Sequence, residues 1–106
     1  MKKIRNIDEF NNVVNSDNLT LIKFSAEWCG PCRNLGETIN SLENDFPSVN
    51  FIEIDVDCIE TEEIVSDYKI RNIPVLIFMK NGLACDRCLG SIDKNTIIDK
   101  INKNII

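Results

Sequence analysis

The chain has 106 residues, with 17 acidic and 12 basic side chains, 43% hydrophobic residues and no histidine. This length and composition predict a single domain, residues 1–106, with enough apolar side chains for a core. The acidic excess and the lack of a basic run argue against nucleic acid as a partner, and no apolar stretch approaches the roughly 20 residues of a membrane span. Without histidine, histidine-based acid–base catalysis is excluded.

The amino-terminal segment Met1–Phe10 contains two lysines but no apolar stretch behind them, so it does not resemble a signal peptide. We therefore expect a cytoplasmic protein, in which structural disulfides are rare. The five cysteines are an odd number, which also argues against a closed disulfide framework. We also expect the protein to be a monomer.

The first half of the chain alternates strand-like and helix-like segments. Asn6 followed by Glu9 predicts a helix start, because asparagine caps a helix and glutamate reaches back from its third position. Apolar patterns then predict, in chain order, a short strand at Lys2–Arg5 before that helix, a strand at Leu19–Ala26, a helix at Arg33–Phe46 ended by Pro47, and a strand at Val49–Val56.

The second half of the chain adds a hairpin and two helices. Asn81-Gly82 is a strong signal for a two-residue hairpin turn. The predicted elements are a helix at Thr61–Ile70 with Thr61 as its cap, strands at Pro74–Met79 and Leu83–Leu89, and a helix at Asp93–Lys103. This order predicts an α/β fold with a central mixed sheet of four or five strands, flanked by helices on both faces.

The stretch Glu27–Cys32, EWCGPC, places two cysteines where a buried strand passes into a helix. The free N–H groups and the dipole of a helix start stabilise an anion, so this placement lowers the pKa of a cysteine. Only the thiolate attacks a disulfide, and Cys32, one turn after Cys29, can resolve the mixed disulfide that forms. Pro31 fits early in a helix, because the N–H that it lacks has no helical partner there.

A zinc site is the structural alternative, since Cys85 and Cys88 form a second CxxC pair. Two such pairs indicate zinc when about 15–20 residues separate them. Here residues 33 to 84, 52 in all, lie between the pairs, and the second pair falls in a predicted strand. The spacing therefore favours redox chemistry at the first pair and predicts no metal.

Four features resemble the thioredoxin family in order and spacing, over essentially the whole chain: FSAEWCGPC at Phe24–Cys32, IRNIP at Ile70–Pro74, KNG at Lys80–Gly82, and Gly90. The resemblance implies a thioredoxin fold and a reductase of protein disulfides, with Cys29 as attacking thiolate and Cys32 as resolving thiol. It implies no bound cofactor beyond the redox-active disulfide. It implies thioredoxin reductase and disulfide-containing substrate proteins as partners.

The resemblance also implies a groove for an extended substrate segment. Ile73-Pro74 would be a cis peptide facing the CxxC pair, and Trp28, Gly30 and Gly90 would line the groove with Ile73. From the residues alone, ordinary core packing is the preferred interpretation of Trp28 and Ile73. The alternative functions are a disulfide oxidase or isomerase, which needs an oxidising compartment, and a non-catalytic binding subunit of a larger assembly.

One buried-strand position departs from the family pattern. Lys23 stands six residues before Cys29, where the family usually has a buried aspartate, and Phe51 is assigned to the position of the lysine that often faces it. Lys23 either extends its amine to the surface or lies beneath the CxxC pair. There, as a cation it favours the thiolate, and as a neutral amine it serves as a base for Cys32, with Glu53 as a candidate partner.

The helix after the pair departs from the family as well. Glu37 stands where the family commonly has a kinking proline, and Gly36 precedes it. A glycine inside a helix costs up to about 1 kcal/mol relative to alanine. It permits either a bend in the helix or close packing against a neighbour.

The remaining cysteines are the least family-like feature. Regular pairing back from the hairpin turn puts Cys85 opposite Phe78 and Cys88 opposite Val75, beside the expected cis peptide on the active-site side. Residues three apart in an extended strand are too distant for a disulfide. We predict that Cys85 is a small buried hydrophobe, that Cys88 is a candidate redox-sensitive thiol, and that Cys58 is a free thiol without a role.

Overall fold

The structure is a computed structural model that describes residues 1–106. Helices and strands alternate in the predicted order. The elements are β1 (Lys2–Lys3), α1 (Ile7–Val14), β2 (Thr20–Ser25), α2 (Gly30–Leu42), β3 (Asn50–Asp55), α3 (Glu62–Asp67), β4 (Val75–Lys80), β5 (Leu83–Leu89) and α4 (Lys94–Asn104).

The five strands form one mixed sheet in the order β1-β3-β2-β4-β5. β3 runs parallel to both β1 and β2, whereas β4 is antiparallel to β2 and β5. Asn81 and Gly82 join β4 to β5 with φ angles of 54° and 78°, the left-handed conformation that a two-residue hairpin turn requires. The mixed sheet confirms the predicted fold class.

Apolar layers cover both faces of the sheet, so β2 at its centre is buried along its whole length. α2 and α4 pack on one face, and α1 and α3 pack on the other. The first layer contains Leu21, Leu35, Ile39, Leu76, Phe78 and Ile97 among its buried side chains, and the second contains Phe10, Ile22, Phe24, Ile54, Ile64 and Ile77. None of the four helices has both the length and the apolar character required to cross a bilayer.

The helix α3 is shorter than predicted and is not capped as predicted. The hydroxyl of Thr61 donates hydrogen bonds to the backbone carbonyls of Asp55 and Cys58, at 2.7 and 3.0 Å, so it does not accept one from the helix. Helical geometry ends at Asp67 because Lys69 adopts a left-handed φ of 53°.

The hairpin of β4 and β5 contains a β-bulge. Ala84 pairs with Met79, but Asp86 pairs with Phe78, so Cys85 is an extra residue without an opposite partner. Every residue of β5 beyond the bulge is therefore shifted by one position relative to a regular hairpin.

This shift makes the predictions for two cysteines wrong. Cys85 is exposed, and its thiol donates to the carbonyl of Phe78 at 3.3 Å. Cys88 lies opposite Leu76 instead of Val75 and is buried in the core layer beneath α2 and α4. It is therefore enclosed in the core, opposite the second residue after Pro74, and does not lie beside Pro74 as predicted. One extra residue exchanges the faces of all later side chains, because side chains alternate along a strand.

Candidate redox site

Cys29 and Cys32 lie at the start of α2, a few residues after the end of β2. Cys29 is the N-cap of the helix, with extended backbone geometry, and its Sγ accepts a hydrogen bond from the backbone N–H of Cys32 at 3.2 Å. The two residues form a disulfide with their Cα atoms 5.2 Å apart. A sulfur at this place faces the unpaired N–H groups of a helix start, which favour negative charge.

The helix begins three residues earlier than predicted because the cysteine itself caps it. Gly30 and Pro31 occupy the first two helical positions, where the missing proline N–H has no consequence. Glycine at the first of these positions leaves the approach to the sulfurs open, since a Cβ there would meet only Arg33, at 3.9 Å. Local sequence therefore fixes the separation and orientation of the two sulfurs.

A small apolar cluster encloses the pair. Cys29 and Cys32 are 5% and 1% exposed, and Ala26, Val56 and Ile73 pack against them. The disulfide is therefore held close beneath the surface, with limited access to solvent.

The peptide bond of Ile73-Pro74 is cis, as the resemblance implied. The carbonyl of Pro74 accepts a hydrogen bond from Gly90 N–H at 2.9 Å, which ties the end of β5 to the start of β4. Gly90 has a φ of 76°, a conformation that favours glycine. Ile73 is half-buried and packs on the cysteine pair, whereas Pro74 is buried.

Trp28, immediately before the pair, is 70% exposed, so core packing is the wrong interpretation of this side chain. Its Nε1–H donates to Asp57 Oδ2 at 2.7 Å, which fixes the ring over the loop after β3. Sequence reasoning missed Asp57, and only the acidic loop after β3 could have drawn attention to it. The exposed indole is a flat apolar wall next to the disulfide.

Lys23 points beneath the pair and is enclosed, with 5% of its side chain exposed, so extension to the surface is excluded. Its Nζ donates to Glu53 Oε2 at 2.8 Å, and Ser25 Oγ donates to the same oxygen at 3.1 Å. The register of β2 and β3 pairs Lys23 with Glu53 and places Phe51 opposite Leu21. Glu53 is therefore the residue directly opposite Lys23, and Phe51 lies two residues before it on the same strand.

The ion pair borders a cavity that reaches the resolving cysteine. The cavity has a volume of about 220 Å³, and its walls include Lys23, Ser25, Cys32 and Glu53. Burial opposes ionisation of Glu53, but the hydrogen bond and the charge of Lys23 outweigh it and hold the pKa of this carboxyl below its usual value. The cavity beneath Cys32 is thus bordered by a carboxylate and an ammonium group, and it is large enough for water.

Gly36 explains how a lysine fits beneath α2. A Cβ built at Gly36 would lie 2.8 Å from Lys23 Nζ, closer than side chains pack. Of the two alternatives for this glycine, the close contact of Gly36 with Lys23 supports packing. The helix gives up the stabilisation that alanine would bring and gains space for the ammonium group.

The other thiols differ from the pair in their surroundings. Burial raises the pKa of both Cys85 and Cys88, and hydrogen bonding with Glu60 raises that of Cys58. A raised pKa reduces the thiolate fraction, so a redox-sensitive Cys88 has no electrostatic support. No group of three or more histidine, cysteine, aspartate or glutamate side chains is arranged to hold a metal ion. The two CxxC sequences, Cys29–Cys32 and Cys85–Cys88, therefore do not form a common metal site.

Comparisons with known proteins agree with this geometry. The thioredoxin family model matches residues 2–103. Thioredoxin of Mycoplasmoides gallisepticum is 36% identical over 97 residues, covering 92% of this chain and 95% of that protein, and thioredoxin of Rickettsia bellii is 42% identical over 94 residues, covering 88% of each. The crystal structure of Malassezia sympodialis thioredoxin superposes with a TM-score of 0.89 at 30% identity, covering 100% of this chain and 91% of that one.

Proposed function

Because the chain belongs to the thioredoxin family, we propose that it is a dithiol electron carrier that reduces disulfides in other proteins through Cys29 and Cys32. The observation that supports this most directly is the disulfide at the start of α2, where Cys29 is itself the helix cap. A sulfur in this position is stabilised as a thiolate when the disulfide opens, and a thiolate is the species that attacks disulfides.

The reaction proceeds by two exchanges. In the first, the Cys29 thiolate attacks one sulfur of the substrate disulfide, and the other substrate sulfur leaves as a thiolate that takes up a proton. In the second, Cys32 loses its proton and attacks Cys29 Sγ, which releases the remaining substrate thiol and closes the Cys29–Cys32 disulfide. The substrate gains two electrons and two protons, and a thioredoxin reductase restores the dithiol with two electrons from NADPH.

The substrate segment binds over the surface beside the disulfide. Trp28 forms one wall of this surface, and the opposite side is formed by Ile73, Pro74 and Gly90. Pro74 is buried and its carbonyl is paired with Gly90 N–H, so the backbone of half-buried Ile73 is the part that an extended chain approaches as an added strand. Gly30 keeps the approach to the sulfurs open.

The proposed reductase activity is tested by turbidity of insulin with NADPH and a thioredoxin reductase. We expect Cys29→Ser and Cys32→Ser each to lower the rate by at least about 100-fold. Cys32→Ser should accumulate a mixed disulfide through Cys29, whereas Cys29→Ser should not. Cys58→Ser is the matched control, and it should retain the rate of the unaltered protein. Turnover only with an added oxidant would indicate an oxidase, and no turnover would indicate a binding subunit.

We further propose that Lys23 tunes the redox pair. Lys23 Nζ forms an ion pair with Glu53 and lines the same cavity as Cys32, so a cation lies beneath the redox pair. A nearby cation stabilises the reduced, thiolate-bearing state, and a more stable reduced state makes a weaker reductant.

The tuning role predicts a specific change in Lys23→Met. The variant leaves the Glu53 carboxylate without its cation, so the reduction potential should become more negative and the pH of half-maximal reduction rate should rise. Lys2→Met, the same substitution at an exposed lysine of β1, is the control. Unchanged potential and pH profile in Lys23→Met would leave the lysine with a structural role only.

We also propose that the protein is cytoplasmic and monomeric. Three cysteines, Cys58, Cys85 and Cys88, stay unpaired, and Cys85 is exposed. Free exposed thiols persist in a reducing compartment and tend to oxidise elsewhere. Size-exclusion chromatography with light scattering measures the oligomeric state directly.

A further inference from the structure

A cleft with an unusual charge lies next to the proposed substrate surface. It has a volume of about 450 Å³, and Lys69, Arg71 and Arg87 line it together with Leu89 and Gly90. No carboxylate contributes to its walls, although acidic residues outnumber basic ones by 17 to 12 in the whole chain. We call the three cations and the cleft between them the basic groove.

The positive charge of the basic groove is not neutralised within the chain. The four ion pairs of the protein use other cations, namely the amino terminus, Lys23, Lys100 and Lys103. Arg87 donates to the carbonyls of Tyr68 and Lys69, at 2.6 and 3.2 Å, which fixes the loop after α3 but leaves the guanidinium charge unpaired. Three like charges around one cleft repel each other, and an anion between them removes this cost.

The basic groove is continuous with the redox site. Gly90 lines the groove and also donates to Pro74, at the cis peptide. Arg71 is two residues from Ile73, which packs on the cysteine pair, and two residues of chain span at most about 7 Å. A polypeptide whose cysteine is at the disulfide therefore needs only a few extended residues to reach the basic groove.

The opposite side of the redox pair has the opposite charge. Asp57 is exposed there, held by the indole of Trp28. An acidic segment would be repelled on that side and attracted on the side of Leu89, whose side chain is 68% exposed. The two sides together select the position of a charged substrate segment relative to the disulfide.

We propose that the basic groove binds an acidic segment of the disulfide-containing substrate, a few residues from the cysteine under attack. This inference rests on the proposed reductase function and names the chemistry of its preferred substrates. Contacts at the edge of an interface act mainly through the association rate and are sensitive to salt, so the preference should appear in kcat/KM at low ionic strength.

The test uses two disulfide peptides that differ only in having Asp or Asn at the positions flanking the cysteine. We expect the Asp peptide to be reduced with a kcat/KM about 3- to 10-fold higher, as a few exposed charge pairs provide. The difference should disappear when ionic strength rises from about 0.01 M to about 1 M, since the Debye length then falls from about 30 Å to about 3 Å.

A double variant, Lys69→Asn with Arg71→Gln, isolates the basic groove. Asparagine tolerates the positive φ of position 69, and Arg87 is kept because it supports the loop. The variant should lower kcat/KM for the Asp peptide by a larger factor than for the Asn peptide. Lys2→Asn with Arg5→Gln removes the same charge at the opposite edge of the sheet and should keep the preference.

Two further outcomes separate this inference from the proposed function. Equal kcat/KM for the two peptides, with normal reduction of both, would overturn the inference and leave the function intact. If neither peptide is reduced, the inference is tested by binding instead. The cysteines of both peptides are replaced by serine, and the affinity of each peptide is measured from the fluorescence of the single tryptophan, Trp28. Tighter binding of the Asp version supports the basic groove, and equal binding overturns it.

Discussion

A lysine amine enclosed by a protein core needs both a counter-charge and room, and Lys23 obtains them from two different elements. Glu53 on β3 supplies the carboxylate, and Gly36 on α2 supplies the space. Burying a charge without its partner is costly, and the ammonium group occupies the space that a Cβ at position 36 would need.

This dependence makes a testable prediction for Gly36→Ala. Alanine improves helix propensity by about 1 kcal/mol, but its Cβ would displace Lys23 Nζ from Glu53. We expect no net gain or a loss of stability in the unaltered background, and a gain of about 1 kcal/mol when Lys23→Met is also present. Urea unfolding of the four proteins measures this coupling. Equal effects of Gly36→Ala in both backgrounds would show that lysine and glycine are independent.

At the scale of elements, the β-bulge at Cys85 decides which thiols are accessible. In a regular hairpin Cys85 would lie opposite Phe78, in the core layer beneath α2 and α4, whereas with the bulge Cys85 is exposed and Cys88 is 7% exposed in that layer. We therefore expect iodoacetamide to alkylate Cys85 before the half-buried Cys58, and Cys88 last. Mass spectrometry of peptides from the oxidised protein gives the order, and early labelling of Cys88 would contradict the bulge.

The elements themselves were largely predictable, because each leaves a local pattern. Apolar periodicity indicated the helices, and Asn81-Gly82 indicated the hairpin turn. The errors arose where structure depends on the alignment of two strands. No local pattern marks the one extra residue in β5 that exchanges the faces of the side chains after it.

At the scale of the site, the sequence identified the cysteines and the cis peptide from a local motif and a family resemblance, and it left open whether Lys23 is enclosed. It did not identify Asp57 as the partner of Trp28, since a long-range hydrogen bond has no sequence pattern. The basic groove was missed for the same reason. Its cations come from the loop after α3 and from β5, and only the fold brings them together.

For the whole molecule, three carboxyls determine how stability depends on acid. The pKa of Glu53 is lowered because Lys23 outweighs the effect of burial, and that of Asp86 because hydrogen bonds, chiefly from Lys100, do the same. Hydrogen bonding with Thr96 at the start of α4 lowers the pKa of Asp93. Each of these groups binds a proton more readily in the unfolded chain, where the ordinary values are 4.5 for glutamate and 3.8 for aspartate.

We therefore expect the free energy of unfolding to be constant well above pH 4.5 and to fall as the pH drops through the lowered values of the folded protein. Urea unfolding at a series of pH values from about 6 to about 3 measures this slope. Asp86→Asn should flatten it, because one of the three groups no longer titrates. A stability that is independent of pH over this range would contradict the prediction.

The contact between Gly36 and Lys23 has a consequence for making chimaeras of this chain. A hybrid that inherits β2 from here and α2 from elsewhere would bring an ammonium group against whatever side chain replaces the glycine. A hybrid that exchanges β3 alone would leave the ammonium group of Lys23 without the carboxylate of Glu53. Hybrid proteins whose crossover points separate positions 23, 36 and 53 should therefore fold poorly. Hybrids that take all three positions from the same parent should fold normally.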